Sequence, residues 1–202
     1  MRHAPSLVLL ALTLGMAGCA QQEGEGAAGA AASPPGGRPT LAVAAGRLPD
    51  AVAGFTRRDT TWHEQTRAGL GVAMDYDGPA RSAVSTVSLY DRGIAAVPNE
   101  IDAPALQAEF NAAVNEAVAM AGTRTSQRIT ESNRTDVAVP GQAPMRCATL
   151  QGTYGRQEVQ TLVCLGPAAG RFLKVLVTSP ARQVRPVDPM PFVVGIAQAA
   201  RG

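Results

Sequence analysis

The alternation of hydrophobic and polar positions marks several segments of the chain as strands. Val72, Met74 and Tyr76 are separated by small or acidic residues, and this period of two predicts a half-buried strand. Gly78 and Pro79 follow as a turn toward the next strand, which predicts an antiparallel pair. Further strands are predicted over about 56–65, 82–91, 126–139, 145–154, 157–165 and 171–178.

Two other segments have the spacing of amphipathic helices. Apolar residues recur every three or four positions from about Ala103 to Ala121, with Asp102 placed to cap the start and Gly122 to end the helix. A C-terminal helix is predicted after Asp188, its N-cap, with Pro189 as the first helical residue. Its apolar stripe is Met190, Val193, Val194, Ala197 and Ala200.

These elements predict one α+β domain over residues 48–202. Its antiparallel β-sheet is expected to carry an amphipathic helix after the first strands and a C-terminal helix, packed as an α/β sandwich. About 150 residues are enough to bury a substantial core. No second apolar run is long enough to cross a membrane, so the domain itself is not expected to span one.

The first residues of the chain have the pattern of an export signal. Arg2 and His3 precede an apolar run from Leu7 to Ala17, which is shorter than the ~20 residues that a transmembrane helix requires. The run ends in the sequence Met16-Ala17-Gly18-Cys19. This ending decides how the segment is interpreted.

Met16-Ala17-Gly18-Cys19 resembles the lipobox of bacterial lipoproteins, with Met16 in place of the usual leucine. The resemblance implies that residues 1–18 are a signal peptide and that Cys19 carries a diacylglyceryl group and an acylated amino terminus, with chains such as palmitate. Two or three acyl chains would hold the protein durably in a membrane. The alternative is an ordinary secretory signal cut after Ala20, because Gly18 and Ala20 also satisfy a small-x-small rule.

Residues 19–47 are predicted to be the lipidated cysteine and a flexible tether rich in Ala, Gly and Pro. Ala20 and Gln21 replace the Asp that retains enteric lipoproteins at the inner membrane. The resemblance therefore favours a lipid-anchored protein of the bacterial cell envelope, at the outer membrane and facing the periplasm.

The remaining cysteines, Cys147 and Cys164, are predicted to form a disulfide bond. A two-residue type II′ turn at Gly155 and Arg156 would pair the flanking strands symmetrically and place the two cysteines directly opposite each other. Their Cα atoms would then be ~4.5 Å apart, which a disulfide accepts. The other interpretation is a pair of free buried thiols.

Composition and motifs exclude several functions. Removing residues 1–18 leaves a net charge of +1, 17 of the 18 basic residues are Arg, and only 4% of residues are aromatic, which argues against a nucleic-acid partner. The chain lacks GxSxG, HExxH, GxGxxG and phosphate-loop motifs. Two cysteines and His63 supply too few ligands for a zinc site, so neither a metal nor another cofactor is expected.

One set of ionisable residues could carry chemistry. His63, Glu64, Asp75, Asp77 and Asp91 lie on or beside neighbouring predicted strands, which would gather them at one end of the sheet. The alternative is that they are solvated residues at strand edges. No catalytic residue is assigned among them.

The order of elements across 48–201 is a β-hairpin, a helix, a run of antiparallel strands and a final helix. In an exported lipoprotein this order resembles the PsbP and DcrB group of envelope proteins, whose fold is an antiparallel sheet with helices on its faces. The resemblance implies a fold and transfers no functional residue.

The expected function is a non-catalytic, membrane-tethered module that binds an envelope protein or a small ligand, at the sheet edge or between the sheet and a helix. This interpretation predicts a concave apolar pocket or a large exposed patch. One alternative is an envelope hydrolase that uses His63 and nearby carboxylates as acid and base. A second alternative is a structural lipoprotein without a specific ligand.

Overall fold

The computed structural model describes residues 37–122 and 128–202, and the side chains of residues 120–122 lie outside that description. The predicted signal peptide (residues 1–18), the lipid attachment at Cys19 and most of the predicted tether fall on residues that are not described. In the part that is described, no helix is long and apolar enough to cross a bilayer.

One antiparallel β-sheet of eight strands forms the centre of the domain, in the order β1-β2-β3-β4-β8-β7-β6-β5. Val72 pairs with Leu89 and Asp77 with Val84, so the antiparallel pair predicted around Gly78 and Pro79 is confirmed. The strands are β1 (Ala51–Val52), β2 (Phe55–Trp62), β3 (Val72–Asp77), β4 (Val84–Tyr90), β5 (Arg128–Val139), β6 (Gln142–Tyr154), β7 (Gln157–Ala168) and β8 (Arg171–Pro180).

Three α-helices accompany the sheet: α1 (Leu41–Gly46), α2 (Pro104–Gly122) and α3 (Met190–Arg201). Single turns of 3-10 helix occur at His63–Gln65 and Pro79–Arg81. The two predicted helices are therefore present, and the described chain is mostly antiparallel sheet with three helices.

The predicted helix starts differ from the observed ones by about one residue. Among the described residues, no backbone N–H of α2 donates to the Asp102 side chain, whose carboxylate forms an ion pair with Arg146 at 2.9 Å. Asp188 does accept the backbone N–H of Met190 at 2.9 Å, but α3 begins at Met190, with Pro189 in the N-cap position. The local sequence around a residue does not show that its side chain will bond to a residue distant in the chain.

Buried residues fall into two clusters. One contains residues of α1 and α3, and the other contains residues of α2. Neighbouring strand residues alternate between them: Cys147 and Cys164 belong to the first cluster, and Ala148 and Val163 to the second. Because successive strand residues point to opposite faces, the two clusters lie on opposite faces of the sheet.

The sheet curls toward the face that carries α3. This helix packs against β7 and β8 near the middle of the sheet and also against β1 and β5 at its two edges. Phe192 of α3 lies against the rings of Phe55 and Tyr76, with centroid distances of 4.2 and 5.3 Å. Curling lets strands from both edges share one helix.

The expectation of a flexible tether as far as residue 47 is wrong for its last part. Leu41–Gly46 forms α1, with the Thr40 hydroxyl accepting the N–H of Val43 at 3.3 Å, and Ala44 and Ala45 are buried in the first cluster. Alanine is small enough to pack closely but contributes little to a periodic hydrophobic pattern. Composition alone therefore did not predict α1, a short helix that is stabilised by its contacts with the core.

The β6–β7 hairpin has the predicted register. Tyr154 pairs with Gln157 and Cys147 with Cys164, whose Cα atoms are 4.0 Å apart and whose sulfur atoms are joined as a disulfide. Gly155 has a φ of 62°, as the first central position of a type II′ turn requires. Both cysteine side chains are fully buried, so the bond fastens the strands inside the core.

Candidate functional site

A groove runs beside α2 on the face of the sheet that this helix partly covers. The α2 helix packs against β5, β6 and β7, so the same face of β3 and β4 remains uncovered next to it. We call this depression the helix groove. It has a polar half and an apolar half.

The polar half has a volume of about 380 Å³. It contains histidine, basic, acidic and hydroxyl side chains together with small residues from the strand surface. Its lining residues are His63, Leu70, Ala73, Thr86, Ser88, Tyr90, Arg92, Glu116 and Lys174.

The apolar half has a volume of about 440 Å³ and lies farther along the same strands. Two of its residues are among the large hydrophobic side chains with the greatest exposure: Val84 at 53% and Tyr154 at 43%. Its lining residues are Arg81, Ser82, Ala83, Val84, Tyr154, Gln157, Val159, Leu176, Thr178, Ser179 and Pro180.

The β4–β8 register makes the two halves neighbours. Ser88 pairs with Lys174 in the polar half, and Val84 pairs with Thr178 in the apolar half. Thr86 lies between them opposite Leu176, and it lines the polar half while Leu176 lines the apolar half. Since these residues follow each other on one face at a spacing of two, the halves adjoin along the strands.

Charges in the polar half are arranged around one aromatic ring. The Tyr90 hydroxyl donates to Glu109 at 2.8 Å, and Arg92 pairs with the same carboxylate at 3.1 Å. Lys174 pairs with Glu116 at 3.0 Å. The Arg92 guanidinium and the Lys174 ammonium lie 5.0 and 5.6 Å from the centre of the Tyr90 ring, which places both in cation–π range.

Tyr90 does not serve as a base in this arrangement. Burial raises the pKa of its hydroxyl far above the ordinary value, and the adjacent Glu109 carboxylate raises it further. The phenol therefore stays protonated and donates its hydrogen bond. The polar half offers fixed donors and paired charges suited to positioning a polar group.

His63 lines the polar half from a turn of 3-10 helix that follows β2. Its neighbour Glu64 turns its carboxylate to the loop instead, accepting the N–H groups of Gly69 at 3.0 Å and Gly71 at 2.8 Å. Glu64 therefore holds the loop before β3. It is not hydrogen-bonded to the imidazole.

The other predicted carboxylates have separate partners. Asp75 accepts the Thr86 hydroxyl at 2.7 Å, Asp77 lies 3.6 Å from Arg58, and Asp91 pairs with Arg38 at 3.0 Å. Val72, at one end of β3, pairs with Trp62, the residue before His63. Asp77 lies at the other end of β3. Within the described ranges, the structure brings none of the four carboxylates into a hydrogen bond with His63.

The remaining predicted site residues do not belong to the groove. Cys147 and Cys164 point to the opposite face of the sheet, into the cluster that contains α3. Cys19 lies outside the described residues. No group of three or more His, Cys, Asp or Glu side chains suited to a metal ion occurs in residues 37–122 and 128–202.

Sequence reasoning missed most of the groove, although one signal was visible. In the segment from Arg171 to Thr178, a period of two places Lys174 on the same face as Phe172 and Leu176. A charged residue between two apolar ones marks the point where a covered strand surface becomes open. Glu116, the partner of Lys174, and Arg92, the partner of Glu109, have no such local signal.

No model of a known protein family matches the chain, and no curated protein matches it. Function is therefore inferred from the helix groove and from the sequence pattern at the start of the chain.

Proposed function

We propose that this protein is a lipid-anchored component of the bacterial envelope whose domain binds a small amphipathic ligand in the helix groove without transforming it. The main support for a binding function is that a charged half and an exposed apolar half lie side by side in one groove. An apolar part of a ligand would cover Val84 and Tyr154, while a polar group would lie near Tyr90 and Lys174.

Apolar contact is sufficient to account for binding of this kind. Each 100 Å² of apolar surface removed from water contributes about 2.5 kcal/mol, and the entropy lost on binding offsets part of that gain. The polar half adds orientation, because its side chains are already held by ion pairs and hydrogen bonds. Such a division of roles is typical of binding sites for small molecules.

A neutral apolar dye, N-phenylnaphthylamine, tests the groove directly. We expect its fluorescence to rise and saturate with the wild-type protein. Val84→Lys should weaken binding about tenfold, because the substitution places a charge in the apolar half of the groove. The folded protein should tolerate this lysine, because residue 84 pairs across the strands with Asp77.

Val184→Lys is the matched control, since Val184 is fully exposed and does not line the groove. It should bind the dye as the wild type does. Equal dye binding by V84K and wild type would contradict the assignment of the groove.

The membrane anchor is proposed from the lipobox resemblance at Met16 to Cys19. Labelling cells with a radioactive fatty acid should mark the wild-type protein and leave the Cys19→Ser variant unlabelled. Equal labelling of both would contradict the lipid anchor and with it the proposed position at the outer membrane.

Two rival functions give different outcomes. A hydrolase would show turnover of an envelope ester or amide that His63→Gln abolishes, whereas a binding module retains its ligand in that variant. A structural lipoprotein would bind neither the dye nor an envelope component. The separate partners of Glu64, Asp75, Asp77 and Asp91 favour binding over hydrolysis.

The finer architecture that we propose is an α/β sandwich with α2 on one side of the sheet and α1 and α3 on the other. The division of buried residues between two clusters supports it. Spin labels on α2 and α3 should be separated by the thickness of a sheet with a helix layer on each side, roughly 20 Å for two such layer spacings of about 10 Å. A separation near 10 Å would place both helices in one layer.

A further inference from the structure

A second cleft, of about 480 Å³, lies at the turn between β7 and β8. It is lined by Arg38, Asn99, Ala169, Gly170 and Arg201 among others, and it shares no lining residue with the helix groove. We call it the arginine cleft. The arginine cleft contains positive charges with few counter-ions, whereas the charges of the helix groove form ion pairs and its other half is apolar.

Arg201 brings a half-buried cation to this cleft. Its guanidinium donates to the carbonyls of Pro167, at 2.6 Å, and Ala143, and one nitrogen lies 3.2 Å from the Sδ atom of Met145, a weak acceptor. Within the described residues it is paired with no carboxylate. Burial lowers the pKa of this guanidinium, which expresses the cost of a charge that lacks a counter-ion.

Arg38 brings a second cation, whose contacts with the described residues all run through one guanidinium nitrogen. Nη1 pairs with Asp91 at 3.0 Å and donates to the carbonyls of Ile94 at 3.2 Å and Gly170 at 3.4 Å. In the part of the chain that the structure describes, Nε and Nη2 have no partner. One edge of the guanidinium is thus available to a ligand in the cleft.

Arg171 adds to the positive charge beside the same turn. It is 4% exposed, and its Nη1 donates to the carbonyl of Ala169, a residue that lines the cleft. Burial lowers the pKa of Arg171, and the nearby charge of Arg38 lowers it further. Asp91 and Glu64 partly offset that effect, but Asp91 is bonded to Arg38 and Glu64 to loop amides.

Two glycines give the arginines room to reach these positions. A Cβ atom on Gly166 would lie 2.7 Å from Nη2 of Arg201, and a Cβ on Gly170 would lie 2.8 Å from Cδ of Arg38. Both distances are too short for a real side chain. A larger residue at either position would require the neighbouring side chains to shift, Met145 and Arg201 at Gly166 and Arg38 at Gly170.

We propose that the arginine cleft binds a phosphate group. Guanidinium groups match phosphate oxygens with paired N–H donors, and Arg38 and Arg201 both line this cleft. The bound anion would supply the counter-charge that Arg201 lacks. The phosphate could belong to a soluble compound or to a phospholipid headgroup, and the experiment below separates these two sources.

Calorimetric titration of the purified full chain with inorganic phosphate, at constant ionic strength in chloride, tests the site. We expect saturable binding by the wild type and about tenfold weaker binding by Arg38→Gln and by Arg201→Gln. Arg182→Gln is the matched control, because Arg182 is 86% exposed and pairs with Glu158, outside the cleft. It should bind phosphate as the wild type does.

Arg38→Gln is the decisive variant, since Arg201 also fastens the end of α3 to carbonyls of the sheet and its loss could affect folding. A wild-type protein that shows no phosphate binding beyond that of chloride would overturn the proposal. Equal affinity of wild type and R38Q would also overturn it.

Vesicle sedimentation with the Cys19→Ser chain identifies the source of the phosphate. Binding to phosphatidylglycerol vesicles that free phosphate competes away, and that R38Q weakens, supports the cleft with a lipid headgroup as its ligand. Phosphate binding without vesicle binding supports the cleft with a soluble ligand. Binding of neither contradicts the site.

Discussion

Glu64 is the residue whose role differs most from its sequence-based interpretation. It stands next to His63 and could have been its catalytic partner, yet its two carboxylate oxygens accept the amides of Gly69 and Gly71. Gly71 has a φ of 65°, and a Cβ there would lie 1.8 Å from the carbonyl oxygen of Leu89. The loop thus needs glycine at this position and an acceptor for its amide groups.

Replacing Glu64 should therefore reduce stability. We expect Glu64→Gln to lower the free energy of unfolding by about 1 to 2 kcal/mol, because hydrogen bonds to a charged acceptor are lost from a half-buried loop. Urea denaturation measures the change. Glu158→Gln is the control, since its partner Arg182 is exposed, and it should change stability by less than about 0.5 kcal/mol.

Individual residues were predictable from sequence where the signal was local. The register of Cys147 and Cys164 followed from the turn at Gly155, because a two-residue turn fixes every pair that follows it. Lys174 and Glu116 were not predictable as partners, since 58 residues separate them and only the fold brings them together. The grooves and clefts depend on such distant pairs.

The β6–β7 hairpin is the element in which a covalent bond contributes most directly to stability. The disulfide closes a loop with a sequence separation of 17 residues. In the chain-entropy model, a loop of about that length contributes about 3 kcal/mol to stability by restricting the unfolded chain.

The Cys147→Ala/Cys164→Ala double variant should lose about that amount of unfolding free energy in urea denaturation. Alkylation of the urea-denatured wild type without reductant should add no mass at either cysteine, and prior reduction should allow both to be labelled. Denaturation is needed because both side chains are fully buried in the fold. Labelling of both cysteines in the unreduced protein would contradict the bond.

Helix α3 is the element that ties the two edges of the sheet together. Phe192 is fully buried and touches Phe55 from β2 and Tyr76 from β3. Phe192→Ala should reduce the free energy of unfolding by about 3 to 5 kcal/mol, through lost apolar contact and a cavity. Gln198→Ala, on the exposed side of α3, should leave the urea midpoint nearly unchanged.

A helix or strand could be predicted where its apolar residues alternate clearly with polar ones. The β3 strand and helices α2 and α3 combine large apolar residues with polar ones, so their periods are visible in the sequence. Helix α1 consists mainly of alanine, leucine and valine without a polar side, and β1 has two residues. Such short elements form because the assembled core covers them, and local propensity alone does not specify them.

On the scale of the whole molecule, the helix groove and the arginine cleft differ in their chemistry. The helix groove joins exposed apolar residues to paired charges, and the arginine cleft gathers cations with few counter-ions. Neither could be inferred from composition, because the net charge is only +2 and the charged residues are dispersed along the chain. The helix groove arises from strand order, which places β4 beside β8 on the part of one face that α2 leaves uncovered. The arginine cleft arises at the turn between β7 and β8, where residues distant in sequence meet.

Native mass spectrometry of the protein extracted gently from its own membrane tests the central claim, that the helix groove holds an amphipathic ligand. The wild-type protein should retain a small molecule that Val84→Lys loses and Val184→Lys keeps. Wild type, V84K and V184K carrying the same bound mass, or none carrying any, would contradict the claim.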